Sequence, residues 1–276
     1  MILTIDSAEP FRAWVEQLTH DARYYDPHFL YDPNNLWRAI EKKQQAFVCF
    51  EGGEIAGLFV WKLLPEARYA ELIIGFARTQ SPFEEMLSCM EQAHPGFQFD
   101  FVINPNHLPL RRALQKRGAL FDPVQTRLIW PGGTVSFSEQ ESLQVCPYAP
   151  SWKREYLSIH EQEVYWTGER ILEATDRFRV FLAIQAGRVI GYLDVTYGQL
   201  VDEPYSLFVL PHFQKQGYEE ALLRLAIDTL QPDRMMVLVD KEAREALTHY
   251  ERVGFFRLAG QDSQYATFLA DYSESR

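Results

Sequence analysis

The stretch "LPHFQKQGYEEALLRLAI", residues 210–227, leaves a strand at Pro211, turns through Gln214 and Gly217, and enters a helix with apolar residues at three- and four-residue spacing. A loop of this kind gathers backbone N–H groups onto a helix N-terminus. The unpaired donors and the positive end of the helix dipole then point the same way and suit an anion. Gly217 is where the backbone can approach such a ligand, although glycine also serves any tight strand-to-helix turn. The surrounding chain has to decide between the two.

Outward from this loop, the chain repeats itself. "AFVCFEGGEIAGLFVWKLL" (46–64) and "VFLAIQAGRVIGYLDVTYG" (180–198) share one plan, two apolar runs joined by a glycine turn, with Gly53 and Gly57 answering Gly187 and Gly191. "AELIIGFA" (70–77) is matched with "YSLFVLP" (205–211), "FQFDFVIN" (97–104) with "RMMVLVD" (234–240), and "LRRALQKRGALF" (110–121) with "LTHYERVGFF" (247–256). Order and element type are kept through all four, which points to a tandem duplication of one α+β unit. The expected division is 1–131, a linker at 132–141 rich in Gly, Ser and acidic residues, and 142–276.

Composition narrows the function classes. A chain of 276 residues, 47% hydrophobic, is long enough for two packed cores. Its formal net charge of -11 repels nucleic-acid backbones and is compatible with a cationic small molecule. The three cysteines, Cys49, Cys89 and Cys146, lie far apart and read as reduced thiols, and the seven histidines form no His-x-x-x-His pattern, so no metal site is expected. No segment approaches the roughly 20 apolar residues of a membrane span, and the expected location is the cytoplasm.

The run "VLPHFQKQGYE" resembles the phosphate loop of the GNAT superfamily of N-acetyltransferases. Val209, Pro211, Gln214 and Gly217 match the family pattern, and Glu219 stands where the family has a small residue. A second family motif is similar to "VDKEAREALTHYERVGFF": Ala246, Tyr250, Gly254 and Phe255 match, with Ala243 in place of the usual asparagine. The resemblance implies two tandem GNAT-like α+β domains, each a mixed sheet flanked by helices, with acetyl-CoA bound by the C-terminal half. It places the thioester beside Phe208 and Val209 and the pyrophosphate on the backbone of Gln214, Lys215, Gln216, Gly217, Tyr218 and Glu219. Glu219 has two readings: a carboxylate that competes with the phosphates, or a first-turn acid that stabilises the dipole and points to water.

The resemblance also assigns Tyr250 as the acid that protonates the departing thiolate, a role suited to a phenol with a pKa of about 10. A tyrosine packed at a helix end is the structural alternative. Glu203, with Asp202 beside it, stands where many members of the superfamily carry the base that deprotonates the amine, and a solvated acid at a strand start is the other reading. In "SIHEQEVYWTGERIL", Glu163, Tyr165 and Trp166 offer a carboxylate and aromatic faces to a cationic amine, or serve as surface and core residues. The N-terminal copy has no glycine in "RTQSPFEEML", has Leu114 at the position of Tyr250, and carries two Asp-Pro steps in "YYDPHFLYDP" that favour turns. It reads as a degenerate copy. The expected activity is acetyl transfer to a primary amine, of a small molecule or a peptide, by a monomer or homodimer; the alternative is a non-catalytic acyl-CoA sensor or interaction module.

Overall fold

The computed structural model describes residues 1–133, 143–198 and 201–271, so most of the expected linker at 132–141 lies outside the described residues. In chain order the first strands and helices are β1 (Ile2–Ile5), α1 (Arg12–Thr19), α2 (Pro27–Tyr31), α3 (Asn34–Trp37), β2 (Gln45–Glu51), β3 (Glu54–Leu64), β4 (Tyr69–Ala77), α4 (Gln80–Ala93), β5 (Gln98–Ile103), α5 (Leu108–Gln115), β6 (Leu120–Phe121) and β7 (Gln125–Trp130). There follow β8 (Gln144–Pro147), α6 (Lys153–Ile159), α7 (Gly168–Glu173), β9 (Phe178–Gln185), β10 (Arg188–Thr196), β11 (Glu203–Val209), α8 (Tyr218–Leu230), β12 (Met235–Asp240), α9 (Arg244–Val253), β13 (Phe256–Arg257) and β14 (Gln264–Leu269). The architecture is the expected α+β.

Two compact units result, Met1–Gln125 with Ala259–Arg276, and Thr126–Leu258. They do not follow the sequence-based bounds, because each unit takes its last strand from the other half of the sequence. In the first unit the sheet runs β1-β2-β3-β4-β5-β14-β6, and β14 pairs antiparallel with β5 from Gln264↔Ile103 to Leu269↔Gln98. Burial accounts for this: Phe268 stacks on Phe99 and Phe101 at 5.3 and 5.6 Å, and Ala266 is fully buried among them. β7 goes the opposite way, pairing with β13 in the second unit, where Leu128 and Trp130 are core residues.

The second unit carries the loop. Its strands form β11-β10-β9-β8 and, separately, β12-β7-β13. Between β11 and β12 the described contact is one parallel bridge, Asp202↔Met235, with Met236 N–H donating to the Asp202 carbonyl at 3.0 Å. Beyond that bridge no further pairing joins the two strands among the described residues. One face of the second unit packs α8 and α9 through Leu222, Leu223, Ala226, Leu247 and Val253; the other packs Tyr156, Ile171, Phe178 and Tyr192. Gly191 is required where β10 meets β11, since a Cβ there would stand 2.7 Å from the Phe208 carbonyl oxygen.

Register corrects the matching of the two copies. Gly57 pairs with Ala77, and Gly191 with Val209, so Ala77 answers Val209 and Glu71 answers Glu203, three residues away from the sequence-based matching that set Ala70 beside Tyr205. Both copies then carry a β-bulge at the same point, with Ile73 extra between the partners of Val60 and Trp61 and Tyr205 extra between those of Asp194 and Val195. The Asp-Pro step at residue 26 is a helix start rather than a plain turn: the Asp26 carboxylate caps α2 by accepting from Phe29 N–H, with Pro27 in the first turn.

A buried polar network ties the end of α6 to β10. The Asp194 carboxylate accepts from the Tyr156 hydroxyl at 2.9 Å and from His160 Nε2 at 3.0 Å, while His160 Nδ1 donates to the Glu161 carbonyl at 2.8 Å. An imidazolium against the Asp194 carboxylate satisfies both ring nitrogens, while burial raises the Asp194 pKa and works against the charged pair. Burial opposes the charged ring, but the bonds to Asp194 and Glu161 outweigh it and the His160 pKa is raised.

Two outcomes follow for stability. Phe268→Ala is expected to cost about 3–5 kcal/mol and to speed amide exchange in β5, the strand it stacks on. Because the folded pKa of His160 is raised, the contribution of its pair is complete below the ordinary histidine value of about 6.5 and is lost as the pH rises through the folded value. The stability gap between wild type and His160→Gln, about 3 kcal/mol near pH 6, should therefore narrow at alkaline pH in denaturant titrations. A gap that does not change with pH would show that the ring keeps one charge state across that range.

Candidate active site

The loop after β11 is built by two residues in the left-handed region. Lys215 has φ 62° and Gly217 φ 91°; the latter is the N-cap of α8 and supplies no side-chain cap to the first-turn N–H groups. These orphan donors at the start of a helix of 13 residues are what an anion needs. Gln214 holds the loop to its strand, with Nε2 donating to the Val209 carbonyl at 2.9 Å, and Gln216 Nε2 donates to the His212 carbonyl at 2.8 Å. Lys215 is exposed and pairs with Glu245 at 3.4 Å. The Tyr218 side chain is core, so this residue can offer a ligand only its backbone.

Glu219 follows neither sequence-based reading. Its side chain does not point to water, since the residue is 6% exposed. It joins Glu220 and His249, and one ligand-capable atom of each lies within 4.8 Å of the others. The carboxylate is thus turned toward α9.

Along β11, the Leu210 N–H donates to the Ile190 carbonyl, so by strand alternation the N–H groups of Leu207 and Val209 point away from β10. That is the side on which β12 lies. Val209 is buried in the core beneath α8, and Phe208 packs on the opposite face against Tyr192.

Glu203 and Tyr250, far apart in the chain, come under each other's influence here. Tyr250 is 6% exposed; burial raises its pKa and the negative charge of Glu203 raises it further, so the hydroxyl keeps its proton at neutral pH. Glu203, half-buried at the start of β11, is raised by burial alone, which makes it a stronger base than an exposed carboxylate. Asp202 is raised by burial as well, with a backbone hydrogen bond from Gly198 opposing, and its carbonyl is committed to β12.

Of the three expected acceptor residues, the structure draws in one. Trp166 packs on Phe178 at 5.0 Å, and Phe178 meets Tyr205 at 5.7 Å. Tyr205 in turn lies within the field of Glu203. Glu163 is exposed, and Tyr165 is 74% exposed with its carbonyl accepting from Arg170. The face of Trp166 expected to receive a cation has the Arg177 guanidinium 4.9 Å from its centroid. Tyr205, Phe178 and Arg177 carry no motif. The signal that could have found Tyr205 is Pro204, which breaks the strand's alternation at the bulge.

The first unit closes the corresponding edge with its own chain. Gly75 N–H, the counterpart of Leu207, donates to the buried Asp26 carboxylate at 2.9 Å, and the Ile73 carbonyl is 3.0 Å from His28 Nδ1. Its β4 and β5 also stay paired for four residues, Tyr69↔Gln98 to Leu72↔Phe101.

Residues 176–256 match the acetyltransferase (GNAT) domain family. No curated protein matches the sequence. Among solved structures, the chain is similar to a GCN5-related N-acetyltransferase from Sphaerobacter thermophilus, with 14% identity, TM-score 0.55, and 83% of this chain and 81% of that one covered. It is similar over 99% of both chains to a tandem GNAT protein from the clavulanic acid biosynthesis pathway, at 10% identity and TM-score 0.51. A GCN5-related glucosamine N-acetyltransferase region of a fungal multi-domain β-N-acetylglucosaminidase aligns with 97% of this chain and 38% of that one, at 14% identity and TM-score 0.55. Among the described residues no helix is long and apolar enough to cross a membrane. The strand pair, the glycine-capped loop and the comparisons converge: residues 176–256 match the GNAT acetyltransferase domain, and the fold is similar to that of a tandem GNAT protein.

Proposed function

We propose that the second unit transfers an acetyl group from acetyl-CoA to a primary amine. The observation that carries this reading is that, among the described residues, β11 and β12 are joined by one bridge at their start, beside a loop whose helix has no side-chain N-cap. The amides of residues 214–219 take the pyrophosphate, with the helix dipole adding to their donors. The pantetheine arm lies along β11, and a backbone N–H near Val209 polarises the thioester carbonyl as negative charge develops on its oxygen. The amine nitrogen attacks the carbonyl carbon; its proton passes to Glu203, the carbon–sulfur bond breaks, and Tyr250 gives its proton to the thiolate. Tyr205, packed on Phe178 and within the field of Glu203, lines the acceptor side, where the carboxylate's charge favours a small or peptide amine over a polyanion.

The turn of Glu219 toward α9 supports phosphate binding, since the carboxylate no longer competes for the loop amides. The Asp26 and His28 contacts support a single active half, because the matching edge of the first unit is already hydrogen-bonded.

Calorimetry with acetyl-CoA and steady-state turnover over an amine panel test the reading together. Gly217→Trp is expected to abolish binding. Tyr250→Phe should leave binding intact and lower turnover about 100-fold or more. Unchanged turnover in Tyr250→Phe would sink the acid role, and binding without turnover of any amine would move the reading to an acyl-CoA sensor. Since a base must be unprotonated and burial raises the Glu203 pKa, activity in wild type should fall on acidification at a pH above the ordinary glutamate value of about 4.3, and Glu203→Gln should lose that limb.

A further inference from the structure

Between the first turn of α8 and the middle of α9, Glu219, Glu220 and His249 are 6%, 9% and 9% exposed. His249 Nδ1 and Arg252 Nη1 both engage Glu220 Oε1, at 3.0 and 3.1 Å. Neither reaches the second oxygen: Oε2 of Glu219 and Oε2 of Glu220 are both buried without a hydrogen-bond partner. Among the described residues, the two carboxylates share this site with one guanidinium, that of Arg252, whose side chain is 65% exposed. Unpartnered carboxylate oxygens in such a place are costly, and a buried polar atom without a donor calls for a ligand that supplies one.

We propose that Glu219, Glu220 and His249 bind a divalent transition-metal ion that ties α8 to α9. One imidazole and two carboxylates are the donor types that zinc takes, and their ligand-capable atoms, within 4.8 Å of one another, can close on an ion by small side-chain rotations. Three protein ligands leave a fourth position for water. A hard cation such as magnesium prefers all-oxygen surroundings and is disfavoured by the imidazole. The ion supplies the positive charge that Arg252 gives only in part, and it joins the helix that starts at the phosphate loop to the helix that carries Tyr250. This inference is independent of the acyl-transfer reading.

The test uses the full chain, stripped with chelator and titrated with zinc chloride alone, by calorimetry and by competition with a chromogenic zinc indicator. One zinc per chain is expected at micromolar affinity or tighter, with a higher melting temperature. Glu219→Gln and His249→Ala should each weaken binding about 100-fold and abolish the shift, and cobalt(II) should give the visible bands of a tetrahedral site in wild type only. If His249→Ala fails to fold, the decision rests on Glu219→Gln, which is isosteric and keeps the His249–Glu220–Arg252 bonds. No stoichiometric uptake, or equal uptake by wild type and Glu219→Gln, overturns the site.

Discussion

The sparse pairing of β11 with β12 is the constraint on which the second unit is built. Parallel strands pair through evenly spaced hydrogen bonds, and here, among the described residues, one bridge at Asp202 and Met235 joins them. The bulge at Tyr205 lies just past that bridge and re-aims the strand as it leaves. Backbone donors on an interior strand would be costly if nothing paired with them, so an opened sheet is stable only where a ligand or solvent can reach the edge. The loop at Gln214 to Gly217, Glu203 at the strand start and Tyr250 on α9 all take their meaning from this opening.

The same fold without the opening is visible in the first unit. Its β4 and β5 keep four pairs, and the Asp26–His28 segment takes the edge groups at Gly75 and Ile73. Asp26 does double duty as cap of α2 and acceptor from β4, so a segment that reads as turn-rich is a fastener. The two units thus differ in a physically simple way: the first satisfies its strand-edge groups at Gly75 and Ile73 with the Asp26–His28 segment.

The residues of the candidate site could be named from the sequence because their signals are local. A glycine with positive φ before an apolar helix, an acid at the start of a strand, and a tyrosine four residues before a helix-ending glycine can each be read within a short window. Glu219 could not be read that way. Whether a first-turn acid faces water, a ligand or a neighbouring helix depends on what packs beside it, and α9 lies about 30 residues further on. The Tyr156–His160–Asp194 network was hidden for the same reason, since "YLDVT" shows only an acid in an apolar strand and its donors arrive from α6.

By itself the sequence determined the α+β class, the repeated order of elements and the positive-φ glycine of the loop, because these rest on periodicity, glycine positions and residue type. Only the tertiary structure decided which strand completes which sheet. Ala266 and Phe268 are apolar residues that any core would accept, and they are buried beside Phe99 and Phe101 of the first unit, while Leu128 and Trp130 are buried in the second. Hydrophobic burial is non-directional, so partner choice is set by the shape left open in each sheet and not by the segment that fills it.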